Sequence, residues 1–139
     1  MGDIAELQEA FTDATQAREA LDSWQSGGAQ VGIALLMDTP LEAIAEVADS
    51  CDVIQAMGID VIGAQGAVFD PRVIAKIGQL HMAYPKACIA VDGGVSHTNI
   101  ADLVRFGARK FLVGTAIMKQ PDPAHAYNTL MTQAKIALR

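Results

Sequence analysis

The sequence predicts an α/β fold built on a single parallel sheet. Four short apolar runs are spaced along the chain, a segment with helical periodicity follows each run, and small or polar residues end each run. A strand in a parallel sheet is covered on both faces, so its sequence is a continuous apolar run rather than an alternation of apolar and polar residues. Strands that alternate with helices of this length indicate right-handed βαβ units.

The first predicted element is an amphipathic helix. Apolar residues recur every three or four positions from Ile4 to Trp24, Asp3 is a suitable N-cap, and Gly27-Gly28 ends the pattern. Val31–Leu36, an unbroken apolar run, is the first predicted strand.

The second βα unit begins with a turn at Asp38. Thr39 is predicted to cap a helix that runs from about Pro40 to Ala48, since proline suits the first helical position. Asp52–Met57 is the second predicted strand. A long loop, Gly58–Phe69, follows it, and loops of this length in a compact domain are often either functional or mobile.

The remaining elements repeat the same alternation. They are a helix that starts at Asp70-Pro71 and carries apolar residues to Leu80, a strand at Ala87–Val91, a helix from about Thr98 to Phe106, a strand at Lys110–Val113, and a final helix from the Pro121–Pro123 region to Leu138. The predicted order is therefore α-β-α-β-α-β-α-β-α, with no interdomain linker, and residues 1–139 are expected to form one α/β domain.

Composition excludes several classes of protein. Apolar residues make up 51% of the 139 residues, which excludes general disorder. The net charge of −6 and the lack of a basic run argue against nucleic acid or an anionic membrane as a partner. No apolar stretch approaches the roughly 20 residues that span a bilayer. Cys51 and Cys88 lack CxxC spacing, so we expect reduced thiols, mostly buried, and a cytoplasmic location.

Two strand ends contain the clearest functional signal. Ile89-Ala90-Val91 runs into Asp92-Gly93-Gly94, and the next predicted strand runs into Gly114-Thr115. Ligand sites in α/β proteins form just past the carboxyl ends of the strands. Glycine lets the backbone approach a ligand closely, and backbone amides can bind phosphate without basic side chains. These residues predict a phosphate cradle with one carboxylate beside it.

Four strands cannot close a barrel, which normally takes eight. Three arrangements remain open: an open sheet with helices on both faces, two chains that share a barrel, or a part of a larger protein. Exposed parallel edges favour pairing with another chain, so we expect a homo-oligomer formed through the sheet edges.

With these motifs in order, the chain resembles the C-terminal half of ribulose-phosphate 3-epimerase, a (βα)8 TIM-barrel enzyme of pentose phosphate metabolism. The resemblance begins near Val31 and runs nearly to the end of the chain. It rests on four motifs, similar to the family's fifth to eighth strands: Val31–Leu35 with Thr39–Glu42; Met57 with Gly63-Ala64-Gln65-Gly66 and Phe69; Val91–Gly94; and Gly114–Ile117. The implied fold is a half-barrel of about four βα units with a leading helix.

The resemblance implies a set of phosphate-binding residues in the loops after three strands. They are Gly63, Gln65, Gly66, Gly93, Gly94, Gly114 and Thr115. The first of these loops departs from the family pattern, because Asp60-Val61-Ile62 stands where the family usually has a proline-glycine start, and the loop is about one residue longer. Met37 and Met57, at two strand ends, are expected to form pocket wall or core.

The resemblance also implies a role for Asp92 as the family's catalytic acid on the seventh strand and as a ligand of a divalent metal of the zinc, iron or manganese type. The family converts D-ribulose 5-phosphate to D-xylulose 5-phosphate by removing and returning a proton at C3 from opposite faces, so it needs two acid/base groups. A metal stabilises the enediolate. The family's other aspartate and its metal-binding histidines belong to the first four strands.

This chain has only part of that machinery in its matching motifs. Its three histidines, His81, His97 and His125, are expected to be solvent-exposed, so the metal's histidine ligands are missing. We therefore expect the chain alone to bind a phosphorylated pentulose and to turn over little of it. Two alternatives stay open: a non-catalytic phosphosugar-binding or assembly half-barrel module, and a part of a complete enzyme.

Overall fold

Four parallel strands form the centre of the computed structural model, which describes residues 14–59 and 67–139. They are β1 (Gly32–Leu35), β2 (Val53–Met57), β3 (Cys88–Asp92) and β4 (Ala108–Leu112), and they lie in the sheet in that order. Every neighbouring pair is parallel. A doubly wound sheet reverses its strand order at a switch point, whereas a barrel wall does not. The sheet is therefore a half-barrel, and the predicted α/β class is confirmed.

Helices cover the sheet between the strands. The α-helices are α1 (Ala14–Ser26), α2 (Arg72–Ala83), α3 (Ile100–Arg105), α4 (Thr115–Met118) and α5 (Pro123–Ala137). Asp122 caps α5, because its carboxylate accepts a hydrogen bond from the His125 backbone N–H at 2.9 Å, and Pro123 occupies the first helical position. The short helix α4 directly after β4 is an element that the periodicity did not predict.

The main core lies between the sheet and the helices. Ile54, Ile89 and Val91 are fully buried on the sheet, and Val73, Ile77 and Leu80 of α2 are fully buried in the same core cluster. Burying a side chain of this size contributes about 1.5–3 kcal/mol. The α2 residues recur every three or four positions, so one helix face supplies the contact.

The prediction of an α-helix from Pro40 to Ala48 is wrong. The segment forms two short 3₁₀ helices, Leu41–Ile44 and Ala48–Ser50, and Thr39 does not cap them. The backbone bonds span three residues, as in the bond from the Val47 N–H to the Ile44 carbonyl at 3.0 Å. Tighter winding places residues three apart on one side, so Ile44 and Val47 can both be buried in this short connection.

Other predictions are refined by the structure. The described part of the first helix starts at Ala14, so the predicted cap Asp3 and the first apolar positions lie outside the described residues. Ala17 and Leu21 are buried as predicted, whereas Trp24 is 43% exposed. Cys51 is buried and Cys88 half-buried, and both are free thiols. Within residues 14–59 and 67–139, no helix is long and apolar enough to cross a membrane.

Candidate functional site

The candidate site lies at the carboxyl edge of the sheet, where three strands end side by side. Met57, the last residue of β2, pairs with Asp92 at the end of β3, and Asp92 pairs with Leu112 at the end of β4. Adjacent parallel strands are about 4.8 Å apart, so residues paired in this way share one small surface. The segments that follow β3 and β4, including Gly93-Gly94 and Gly114-Thr115, therefore begin next to each other.

Gly58 joins the ends of β2 and β3. Its N–H donates to the Asp92 carbonyl at 2.7 Å, and its own carbonyl accepts from the Asp70 N–H at 2.8 Å. A Cβ at Gly58 would overlap the Gly93 carbonyl oxygen. Glycine is required here because the two chain segments approach too closely for a side chain.

The turn after Asp92 uses two successive glycines with positive φ, 101° at Gly93 and 68° at Gly94. A Cβ at Gly93 would lie 2.9 Å from the Ile59 side chain, and a Cβ at Gly94 would lie 2.8 Å from Phe69 Cβ. Ile59 and Phe69 stand on either side of the loop that contains Gly63, Gln65 and Gly66. The turn is therefore packed against both flanks of that loop.

Asn99 fixes the chain beyond this turn. Its Nδ2 donates to the Gly94 carbonyl at 2.9 Å, and its Oδ1 accepts from the Ser96 N–H at 2.9 Å. The side chain is buried, and a buried amide with both ends paired holds a single loop conformation. The sequence motifs did not single out Asn99, although a polar residue three positions after a serine in a loop is a known local pairing signal.

Asp92 is half-buried at the end of β3. Burial raises the pKa of its carboxyl above the usual value, and a hydrogen bond from the Gly93 backbone opposes this shift. A raised pKa brings a carboxyl closer to the range in which it can both accept and return a proton near neutral pH. Asp92 is thus suited to acid/base chemistry on the face of the sheet that it shares with Met57.

The end of β4 leads directly into α4. Gly114 has φ −103°, and a Cβ there would meet no heavy atom within 4 Å, so crowding does not require glycine at this position. In the described part of the chain, no residue accepts a hydrogen bond from the Thr115 or Ala116 N–H. These two N–H groups and the Thr115 hydroxyl are donors at the same edge of the sheet as Gly93-Gly94.

The described residues do not fit the metal centre that the resemblance implies. Across 14–59 and 67–139, no three histidine, cysteine or acidic side chains come together as a ligand set. His81, His97 and His125 are all exposed, as expected from the sequence. Asp92 is the one predicted metal ligand in this region.

Met37 lies in a different environment from Asp92. It lines a groove of about 440 Å³ between the loop after β1 and helix α2. Lys76, from α2, reaches into this loop and is 7% exposed. Its Nζ donates to the carbonyl oxygens of Leu36, Met37 and Thr39 at 2.5, 2.9 and 2.6 Å. Burial lowers the pKa of Lys76, against the opposing effect of the Asp38 carboxylate.

The structure brings most predicted site residues to one edge. Asp92, Gly93, Gly94, Gly114, Thr115 and Met57 all lie there. Gly63, Gln65 and Gly66 lie outside the described residues. Lys76 and Gln55 were missed, since one polar residue on an apolar helix face or inside a strand gives no periodic signal.

Comparison with known proteins gives a consistent result. The protein-family model described as "Ribulose-phosphate 3 epimerase family" matches residues 8–118 of this chain. Ribulose-phosphate 3-epimerase of Escherichia coli K12 is 31% identical over 102 residues, which cover 70% of this chain and 45% of that protein. Ribulose-phosphate 3-epimerase 1 of Cupriavidus necator is 29% identical over 118 residues, covering 79% of this chain and 48% of that protein.

The chain spans about half the length of the curated relatives it matches. The match to the Schizosaccharomyces pombe ribulose-phosphate 3-epimerase, for example, covers 85% of this chain but 52% of that protein. Among solved structures, a chain of the Amycolatopsis orientalis BexX/CysO complex superimposes with a TM-score of 0.66 and 22% identity. It covers 91% of this chain and 50% of that chain. At this identity the match supports the fold alone.

Proposed function

Because the chain belongs to the ribulose-phosphate 3-epimerase family, we propose that it binds the phosphate of a phosphorylated pentulose at the carboxyl ends of β3 and β4. The observation that carries the proposal is the adjacent pair of strand ends: Gly93-Gly94 directly after β3, and the Thr115 and Ala116 N–H groups after β4. Backbone N–H groups are suitable phosphate donors in a chain with net charge −6. Gly63, Gln65 and Gly66 belong to the same proposal.

In this proposal Asp92 is one of two acid/base groups. Its raised pKa and its place beside the cradle suit removal or return of a proton at the carbon next to the ketone of a bound pentulose phosphate. Inversion at that carbon needs a second group on the opposite face. Since the chain covers about half of each relative and its described residues offer no metal ligand set, we expect binding with little turnover by the chain alone.

Titration with inorganic phosphate and with ribulose 5-phosphate tests this function. We expect both to bind at millimolar concentration or below, and Gly94→Val to abolish binding because it displaces Phe69. Gly28→Val is the matched control, as Gly28 also has positive φ but meets nothing within 4 Å. Retained binding in Gly94→Val, or no binding by the unaltered chain, would contradict the proposal. Metal-dependent turnover abolished by Asp92→Asn would instead show that the chain is a full catalyst.

A second candidate is an assembly role, in which two copies complete a barrel. The observation that favours it is that β1 and β4 each pair on one side only among the described strands. Leu36 and Leu112, next to those edges, are also partly exposed. Light scattering at micromolar concentration should give a dimer, and Leu112→Lys should weaken it. A monomer at this concentration would count against the assembly role and leave the binding function intact.

A cytoplasmic location remains part of the proposal and depends on the free thiols Cys51 and Cys88. Cell fractionation of the protein would test this location. Recovery in the cytoplasmic fraction would support it, and recovery elsewhere would contradict it.

A further inference from the structure

Gln55 is a buried polar residue in the middle of β2 that the phosphate site does not use. Its side chain is 5% exposed. Its Nε2 donates to Met57 Sδ at 3.6 Å, and no atom in the described part of the chain donates to its Oε1. A buried acceptor without a donor carries its full desolvation penalty, and such atoms are uncommon in native proteins.

The register places this amide under the candidate site. Gln55 pairs with Ala34 of β1 and Ala90 of β3, and Met57 pairs with Asp92. Residues two apart in a strand share a face, so Gln55 lies on the same face as Met57 and Asp92, about 7 Å before the strand end. Its alanine neighbours are short, and its amide extends toward Met57.

We propose that Gln55 is a specificity-determining residue whose amide hydrogen-bonds a hydroxyl group of the sugar phosphate. The proposal rests on the proposed function and identifies the part of the ligand that the phosphate cradle does not contact. A thioether sulfur is a weak acceptor, so a hydroxyl is a better partner for the amide than Met57 is. Methionine is flexible and can move aside when the ligand enters.

The chemistry of the amide selects a hydroxyl as partner. An acceptor at Oε1 needs a donor, and turning the amide over would place the unpaired group at Nε2, which needs an acceptor. A hydroxyl can serve as either, whereas an ionised phosphate oxygen only accepts and would suit only one orientation of the amide. Gln55 therefore discriminates between a polyol phosphate and inorganic phosphate.

Gln55→Met tests this role, because methionine has a similar length and no hydrogen-bonding amide. Affinities for ribulose 5-phosphate and for inorganic phosphate are measured by calorimetry. We expect about a tenfold loss for the sugar phosphate, no change for inorganic phosphate, and an unchanged or higher thermal midpoint, since an unpaired buried acceptor is removed. The matched control is Gln133→Met in α5, where another buried Oε1 has no partner in the described residues, and both affinities should stay unchanged.

The outcomes separate the two proposals. If the unaltered chain binds neither ligand, the proposed function itself fails. If it binds both and Gln55→Met keeps full sugar-phosphate affinity, the role of Gln55 is refuted while the function stands. An equal loss of both affinities, or a lower thermal midpoint, would show that Gln55 is structural and would also overturn the proposal. A change in self-association alone would assign the amide to an interface and refute it as well.

Discussion

Gly94→Ala tests the packing of the candidate site, because the substitution should destabilise the fold in two ways, through the backbone conformation and through a steric clash. The φ of 68° lies in the left-handed region, where an L-residue costs about 1–2 kcal/mol. A Cβ would also lie 2.8 Å from Phe69 Cβ and 2.9 Å from Phe69 Cα. Carbon atoms in contact normally stay about 3.5–4.0 Å apart, so Phe69 must move by roughly 1 Å. Overpacking of this kind costs about 1–3 kcal/mol.

The expected total loss of stability is about 2–4 kcal/mol, after a gain of about 0.4–1 kcal/mol from the stiffer unfolded chain. Unfolding entropy is about 2.1 cal/mol/K per residue, so for 139 residues each kcal/mol shifts the thermal midpoint by about 3–4 °C. We therefore expect a drop of roughly 7–14 °C. Thermal unfolding followed by circular dichroism measures it directly.

Gly28→Ala is the matched control for the backbone cost. Gly28 has φ 85°, and no heavy atom lies within 4 Å of the position of its Cβ. The variant should lose about 1 kcal/mol or less, since only the dihedral cost remains. The difference between the two variants isolates the contact with Phe69. Equal midpoints for the two variants would refute the close packing of the β3 turn against Phe69.

Three further predictions concern neighbouring groups. Lys76→Met should lower the free energy of unfolding by about 2–4 kcal/mol in urea titration, because it removes a charged donor that three carbonyls share; the Leu36 carbonyl keeps the Thr39 N–H, but the Met37 and Thr39 carbonyls lose their donor. A loss under about 0.5 kcal/mol would contradict the role of Lys76 in fixing the loop after β1. For Asp92, the raised native pKa means that the native state holds its proton more tightly than the unfolded chain does, so stability falls as pH rises from the unfolded pKa through the native one. Asp92→Asn removes this dependence, and its stability relative to the unaltered chain should increase as pH rises from about 4; parallel stability–pH curves would rule this out. Gly114→Ala should change stability by no more than about 1 kcal/mol, since φ is negative and a Cβ there meets no heavy atom within 4 Å; a large destabilisation would show that the position is crowded.

Much of the fold could be predicted from local patterns. The four strands were found within one or two residues, because an apolar run between breakers identifies a buried strand wherever it pairs. The starts of α2 and α5 were predicted within two residues, from Asp70-Pro71 and from the Pro121–Pro123 region. The prediction failed at Pro40–Ala48, where the periodicity suits an α-helix and a 3₁₀ turn alike and only packing decides between them.

The candidate site divides in the same way. Asp92-Gly93-Gly94 and Gly114-Thr115 could be recognised from the sequence, because a carboxylate and glycines at a strand end form a local pattern that any parallel sheet exposes at its edge. The sequence alone could not show that Gly58 must be glycine, that Lys76 binds three carbonyls some 40 residues away in the chain, or that Gln55 lies under Met57 with an unpaired acceptor. These properties depend on distances between segments that are remote in the chain, and strand register and helix packing set those distances. Residue order therefore specified which groups stand at the strand ends, and the assembled sheet decided which of them meet and which polar atoms remain for a ligand.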